Sequence, residues 1–103
     1  MSLRPRFETW SFLYHYTKME LQDKFQNAVS LSKQLTERPS NEELLQLYAL
    51  YKQALEGDNK GDRPGGFDFK GAAKHDAWDK IKGMSLEEAM NQYIRLVDKL
   101  HKK

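Results

Sequence analysis

From position 21 onward, apolar side chains return at spacings of four and three. Leu21, Phe25, Ala28, Ser32 and Leu35 share one side of a helix, Val29 and Leu31 widen the stripe, and Gln22, Asp23, Lys24, Gln26 and Lys33 lie mostly opposite. The pattern predicts an amphipathic helix of about fifteen residues beginning near Met19. Arg38 and Pro39 interrupt it, because proline lacks the amide and restrains the residue before it. Ser40 precedes Glu43 by three positions, the spacing of a capping box, so a second helix starts there. It presents Leu44, Leu47, Tyr48, Tyr51, Ala54 and Leu55 on one broad side and Leu45 and Leu50 on another, and should end around Glu56 and Gly57.

The connector that follows holds Asp58, Asn59, Gly61, Asp62, Pro64, Gly65 and Gly66, a composition that suits neither helix nor central strand. A loop of this length in a small domain must be held, either by packing of Phe67 and Phe69 or by a ligand. A third helical pattern runs from Gly71 to Lys82, with Ala73, Ala77 and Ile81 at four-residue spacing beside Trp78, and Gly83 supplies its stop. Ser85 and Glu88 repeat the capping-box spacing, and Leu86, Ala89, Met90, Tyr93, Val97 and Leu100 continue a stripe toward the end. No segment shows sustained strand alternation. The expected fold is all-α, with four helices.

The first nineteen residues lack a clear period but are rich in aromatics, with Phe7, Trp10, Phe12, Tyr14 and Tyr16. They read as an amino-terminal extension, residues 1–19, preceding one domain over residues 20–103. Three roles suit the extension: packing on the domain surface, targeting to mitochondria or another organelle, or contact with a partner. At 103 residues the chain has room for one hydrophobic core.

Composition narrows the chemistry. With no cysteine, disulfides, thiolate metal sites and cysteine nucleophiles are excluded, and His15, His75 and His101 are too scattered for a local metal motif. No apolar run approaches the roughly 20 residues of a membrane span, so no membrane spanning is expected. Seventeen basic and fifteen acidic side chains are spread evenly, without the concentrated positive face that nucleic acid requires. Acidic pairs at helix starts, Glu42/Glu43 and Glu87/Glu88, have a structural reason in the helix dipole, as does the spacing of Asp76 and Asp79 on one helix. Adjacent His75 and Asp76 point about 100° apart on a helix and make no relay by adjacency. The segment Arg63–Gly66 lacks the spacing and terminal Lys-Ser/Thr of a phosphate loop. No catalytic residue, metal or cofactor is expected.

A binding surface is a better prospect. Tyr48 lies four before Lys52, and Lys52 follows Tyr51, so one helical side offers aromatic faces with an ammonium. Lys74 is placed near the start of the third helix, where free amides also favour an anion, and Lys33 and Lys70 join if the fold brings them near. Lysines around aromatic rings suit a phosphorylated adenine nucleotide: ammonium groups pair with phosphate oxygens while a ring stacks on the base.

The run LYALYKQALEGD from Leu47 to Asp58, RPG at Arg63–Gly65, DFKGAAKHDAW from Asp68 to Trp78, KGMS from Lys82 to Ser85 and AMNQYI from Ala89 to Ile94 resemble the acyl-CoA-binding protein family, in order, across about Leu21 to Leu100. The resemblance implies a four-helix bundle in up-down-down-up order with a long connection between the second and third helices. It implies a non-catalytic protein that binds, buffers or transports long-chain fatty acyl-CoA thioesters, as a cytoplasmic monomer, with transient contacts to acyl-CoA-using enzymes or membrane surfaces. Residues carried over to the site are Tyr48, Ala49, Leu50, Tyr51, Lys52, Lys74 and Tyr93, with Lys33 and Lys70 as peripheral polar contacts. Lys52 and Lys74 would meet the ribose 3′-phosphate and neighbouring phosphates, Tyr48 and Tyr51 the nucleotide and acyl portion, and Tyr93 the adenine side. Two departures stand out. Ala72 replaces a usual lysine and His75 a usual tryptophan, which puts His75 at the ligand edge with less apolar area to offer an acyl chain. The alternative expectation is a helical protein-interaction module that uses the extension.

Overall fold

The computed structural model describes residues 20–102. Expectations for the extension, and the domain boundary drawn at its end, lie outside the described residues. Four helices form the fold: α1 over 20–32, α2 at Asn41–Glu56, α3 at Phe69–Asp79 and α4 at Leu86–His101. Among the described residues there is no strand.

The start of α2 follows from its local chemistry. Ser40 Oγ accepts from the Glu43 amide at 3.1 Å, and the Glu43 carboxylate accepts from the Ser40 amide at 2.9 Å, so two otherwise orphaned donors are satisfied reciprocally. At its other end Gly57 adopts φ 78°, a conformation that L side chains resist, while its amide donates to the Gln53 carbonyl. In α4 the Ser85 hydroxyl accepts from the Glu88 amide at 3.0 Å, but the Glu88 carboxylate also accepts from Gln92 at 3.1 Å along the outer face.

Two boundaries differ from the periodic expectation. Helix α1 stops at residue 32, well before Pro39, because the Lys33 and Gln34 amides bond back to Ser30 and Leu31 and tighten the last turn. Helix α3 begins two residues before Gly71, since Asp68 is its N-cap and accepts from the Gly71 amide at 2.9 Å. A Cβ at residue 71 would collide with that carboxylate, so a larger residue there would push the Asp68 side chain out of its capping position. The first turn of α3 is therefore already met by an internal anion, and Lys74 sits in the second turn, away from the helix start where the sequence placed it.

One core joins three of the helices. Phe25 and Ala28 of α1, Leu47, Leu50 and Ala54 of α2, and Ala89, Met90, Tyr93, Val97 and Leu100 of α4 pack together. Helix α2 contacts both α3 and α4. Contributing only Ala72 to the buried apolar residues, α3 is held to α2 largely by polar and cation–ring contacts. Those contacts pair position 48 with 74 and 52 with 78, so the two helices run parallel. Parallel neighbours cannot be joined by a tight turn, which is why the connector between them is long.

Gln53 organises that junction. The side chain is 0% exposed, and its Nε2 donates to Asp58 Oδ1 at 2.9 Å and to the Met84 carbonyl at 2.8 Å. Its Oε1 accepts from the Trp78 indole at 3.0 Å, and the same indole donates to the Gly57 carbonyl at 2.9 Å. Asp58 Oδ1 accepts a further bond from the Gly83 amide at 2.7 Å. These donors, the Gly83 amide foremost, hold the Asp58 carboxyl below its ordinary range.

The connector is fastened by polar contacts, not by its phenylalanines. Asn59, itself buried, receives the Gly61 amide on its side-chain oxygen at 3.0 Å and donates to the His75 carbonyl at 3.3 Å. Arg63 forms a forked pair with Asp76, with bonds of 3.0 and 3.1 Å. Phe67 and Phe69 are 93% and 73% exposed. Packing of those two rings, one of the two expected fastenings, is thus overturned.

Candidate ligand-binding site

Residues 48, 51, 52 and 55 recur at helical spacing, so Tyr48, Tyr51, Lys52 and Leu55 share one side of α2. Opposite them stands α3 with Lys70, Lys74 and Trp78, each four residues from the next. Across the gap the two helices exchange cations. Lys74 Nζ lies 5.3 Å from the centre of the Tyr48 ring, and Lys52 Nζ lies 5.1 Å from the centre of the Trp78 ring. Two ammonium groups and two aromatic rings are thereby concentrated between parallel helices.

The two lysines are in different states of engagement. Lys52 is paired with Glu56 one turn along α2, and the hydrogen bond to that carboxylate raises its pKa above the ordinary lysine value. Lys74 remains exposed above Tyr48. An arriving phosphate therefore competes with Glu56 for Lys52 but meets Lys74 directly. Lys70, also exposed, extends the positive edge by one helical turn.

A second aromatic group closes the other side. Tyr51 stacks near Phe25 at 6.1 Å, and Tyr93 meets Phe25 edge-on at 5.2 Å and Tyr51 at 6.3 Å. Tyr93 is only 4% exposed, and its hydroxyl donates to Ser32 Oγ at 3.1 Å, which in turn donates to the Val29 carbonyl at 2.6 Å. Burial pushes the Tyr93 phenol above its ordinary pKa, the Ser32 bond opposing this in part. Lys33 is exposed in the turn immediately after Ser32, which places it beside the Tyr93 end of the group.

The remaining sequence-predicted residues go elsewhere. Ala49 and Leu50 are buried and line a different groove, about 430 Å³, together with Glu42, Leu45, Lys80 and Leu96. That groove lacks the paired lysines and the tyrosines, so it has little for a phosphorylated nucleotide. His75 turns its nitrogens to Gly61 and Asp76: Nε2 is 2.9 Å from the Gly61 carbonyl and Nδ1 is 3.4 Å from Asp76 Oδ1. The Asp76 contact arises although the two are adjacent on the helix, and Asp76 is held below the usual carboxylate range chiefly by the Arg63 guanidinium. The imidazole thus serves as a connector fastening in this structure.

Sequence reasoning missed Gln53, Asp58, Asn59 and Ser32 as supports of the site. Two of them carried a visible sign. Gln53 and Ser32 are polar residues on otherwise apolar helix stripes, where a side chain must bring its own partners. Asp58 and Asn59 had only their loop composition to show.

A family model described as acyl CoA binding protein matches residues 22–97. The chain is 50% identical over 76 residues to acyl-CoA-binding protein homolog 1 of Caenorhabditis elegans, covering 74% of this chain and 88% of that one. It is 51% identical over 78 residues to an acyl-CoA-binding protein homolog of Drosophila melanogaster, covering 76% and 91%. The crystal structure of Oryza sativa acyl-CoA-binding protein 2 superposes with a TM-score of 0.76 at 44% identity, over 80% of this chain and 91% of that chain. On sequence and fold together, this chain belongs to the acyl-CoA-binding protein family, a group of non-catalytic binding proteins.

Proposed function

We propose that this protein binds one long-chain fatty acyl-CoA thioester per monomer and keeps it soluble for intracellular buffering or delivery. The observation that carries this reading is the cation exchange between α2 and α3, in which Lys74 covers Tyr48 and Lys52 covers Trp78. The nucleotide half of such a ligand needs cations for its phosphates and a ring for its base, and both stand here on the facing sides of α2 and α3. The acyl half needs apolar surface, for which the Tyr51 side of α2 and exposed Leu55 are available. Burying sixteen acyl carbons contributes on the order of 10 kcal/mol before association and ordering costs, at about 0.8 kcal/mol per methylene. The lipid chain therefore supplies much of the affinity while the charged head supplies selection.

Calorimetric titration with free CoA and with short, medium and long acyl-CoAs tests the reading. One-to-one binding that tightens strongly with chain length is expected. Equal, weak binding of free CoA and palmitoyl-CoA would overturn it. Binding through the amino-terminal extension, the other reading of the sequence, concerns residues outside those described.

A further inference from the structure

Helices α3 and α4 each pack on α2 but not on one another. The gap left between them is the groove of about 430 Å³, with Leu45, Ala49 and Leu50 of α2 as its floor, Ala77 and Ile81 on one wall and Leu96 on the other. Leu45, Ala77, Ile81 and Leu96 are only partly buried, so apolar surface from three parts of the fold lacks a cover. Glu42 and Lys80 stand exposed on the rim, each without an ion pair among the described residues. The helix that gains most from a cover is α3, whose one buried residue is Ala72.

Residues 1–19 join α1 at Glu20, and Glu20, Leu21 and Lys24 line a shallow pocket with Asn91 of α4. Gln92, the next residue of α4, lines the groove. The extension therefore meets the domain beside the groove. Eight residues separate Phe12 from Glu20, a reach of up to about 27 Å when extended, and the groove follows α2 from Glu42 to Leu50, about 12 Å. Although the apolar residues of the extension as a set follow no single period, Trp10, Phe12, Tyr14 and Tyr16 fall at every second position, which puts their rings on one side of an extended chain. Rings two residues apart are roughly 7 Å apart along such a chain, so two of them fit the length of the groove. Arg6 and Glu8 bring one charge of each sign toward a rim that offers Glu42 and Lys80. A tethered segment also outcompetes a free partner of similar chemistry, because a short linker holds it at an effective concentration on the order of millimolar.

We infer that Trp10 and Phe12 seat in the groove between α3 and α4, with Tyr14 and Tyr16 crossing α4 beside Gln92, and that the extension thereby braces α3 against α4. The lysine–tyrosine site lies on another side of α2 and stays open. The inference goes beyond the proposed function and holds whether or not an acyl-CoA is bound.

The chain has no cysteine, so S11C takes a single nitroxide label between the two rings. In the full-length labelled protein, the amide resonances of Leu45, Ala49, Ala77, Lys80 and Leu96 should be strongly broadened and recover when the label is reduced. The same labelled chain carrying W10S/F12S should lose that broadening. Broadening centred instead on Lys33, Lys52 and Lys74 would put the extension over the ligand site, and the absence of any localised broadening would leave it unseated; either result overturns the inference. So would equal broadening in isotope-enriched parent mixed with unenriched labelled chain, because the contact would then join two copies. The unlabelled protein gives an independent reading. The emission of Trp10, taken as the difference between the parent and W10F, is expected to be blue-shifted and shielded from iodide, and a solvent-like, freely quenched difference would overturn the seat. Losing both rings in unlabelled W10S/F12S should lower the melting temperature by about 5 to 10 °C. An unchanged melt would overturn the bracing of α3.

Discussion

Replacing Gln53 by methionine keeps nearly the same volume and removes the amide that links α2, α3 and the 83–84 turn. Three hydrogen bonds go: those to Asp58, to the Met84 carbonyl and from the Trp78 indole. A neutral bond is worth about 1 kcal/mol net, and one to a charged group about 1.5 to 3 kcal/mol. The loss is moderated because Trp78 keeps the Gly57 carbonyl and Asp58 keeps the Gly83 amide, and because a thioether buries without a polar penalty. The expected destabilisation is about 2 to 4 kcal/mol, which for a domain of this size lowers the melting temperature by roughly 10 to 25 °C. Urea denaturation followed by circular dichroism measures the first figure and thermal melts the second. The same junction positions Trp78 and Lys74 on one rigid helix, so acyl-CoA affinity should also fall under conditions where the variant is folded. A loss below about 1 kcal/mol with an unchanged denaturant slope would show that the hub is replaceable by plain packing and refute the reasoning.

Three further outcomes follow from the lysine–tyrosine site and its supports. Lys74→Ala should weaken acyl-CoA binding by about 1 to 3 kcal/mol with little change in melting temperature, and Lys52→Ala should do the same less strongly because Glu56 already shares that cation; conversely Glu56→Gln should tighten binding, and unchanged affinity in well-folded Lys52→Ala and Lys74→Ala variants would reject the phosphate site. Asp58 has its pKa depressed in the folded state, so its stabilising contribution is full above the unfolded carboxylate value and is lost as pH falls through the lower folded value. The stability gap between the parent and Asp58→Asn should therefore shrink on acidification, and a gap that widens in melts at descending pH contradicts the assignment. His75→Ala should loosen the connector, seen as faster proteolytic cleavage between residues 58 and 66, while the preference for acyl-CoA over free CoA stays constant; a selective drop in acyl-CoA affinity in titrations would instead place the imidazole against the acyl chain.

Much of this protein is written locally. Helices α2 and α4 were legible because their starts depend on hydroxyls three residues before a glutamate and their stripes on a period of 3.6, both properties of a single segment. The grouping of Tyr48, Tyr51 and Lys52 needed only the pitch of one helix. The end of α1 and the start of α3 were less legible, since a tightening turn at 33–34 and an aspartate cap compete with periodicity over one or two residues. What the sequence could not decide is which elements face each other. That Lys74 covers Tyr48, that Lys52 covers Trp78, and that Tyr93 reaches Ser32 across 61 positions are consequences of helix packing. The roles of Gln53 and His75 belong to the same class: a buried amide and an imidazole are defined by partners from distant segments, and those arrive only when α2 and α3 lie parallel with the connector folded between them. Phe67 and Phe69 show the reverse, as their apolar character suggested burial while polar fastenings nearby removed the need for it, leaving both rings in solvent.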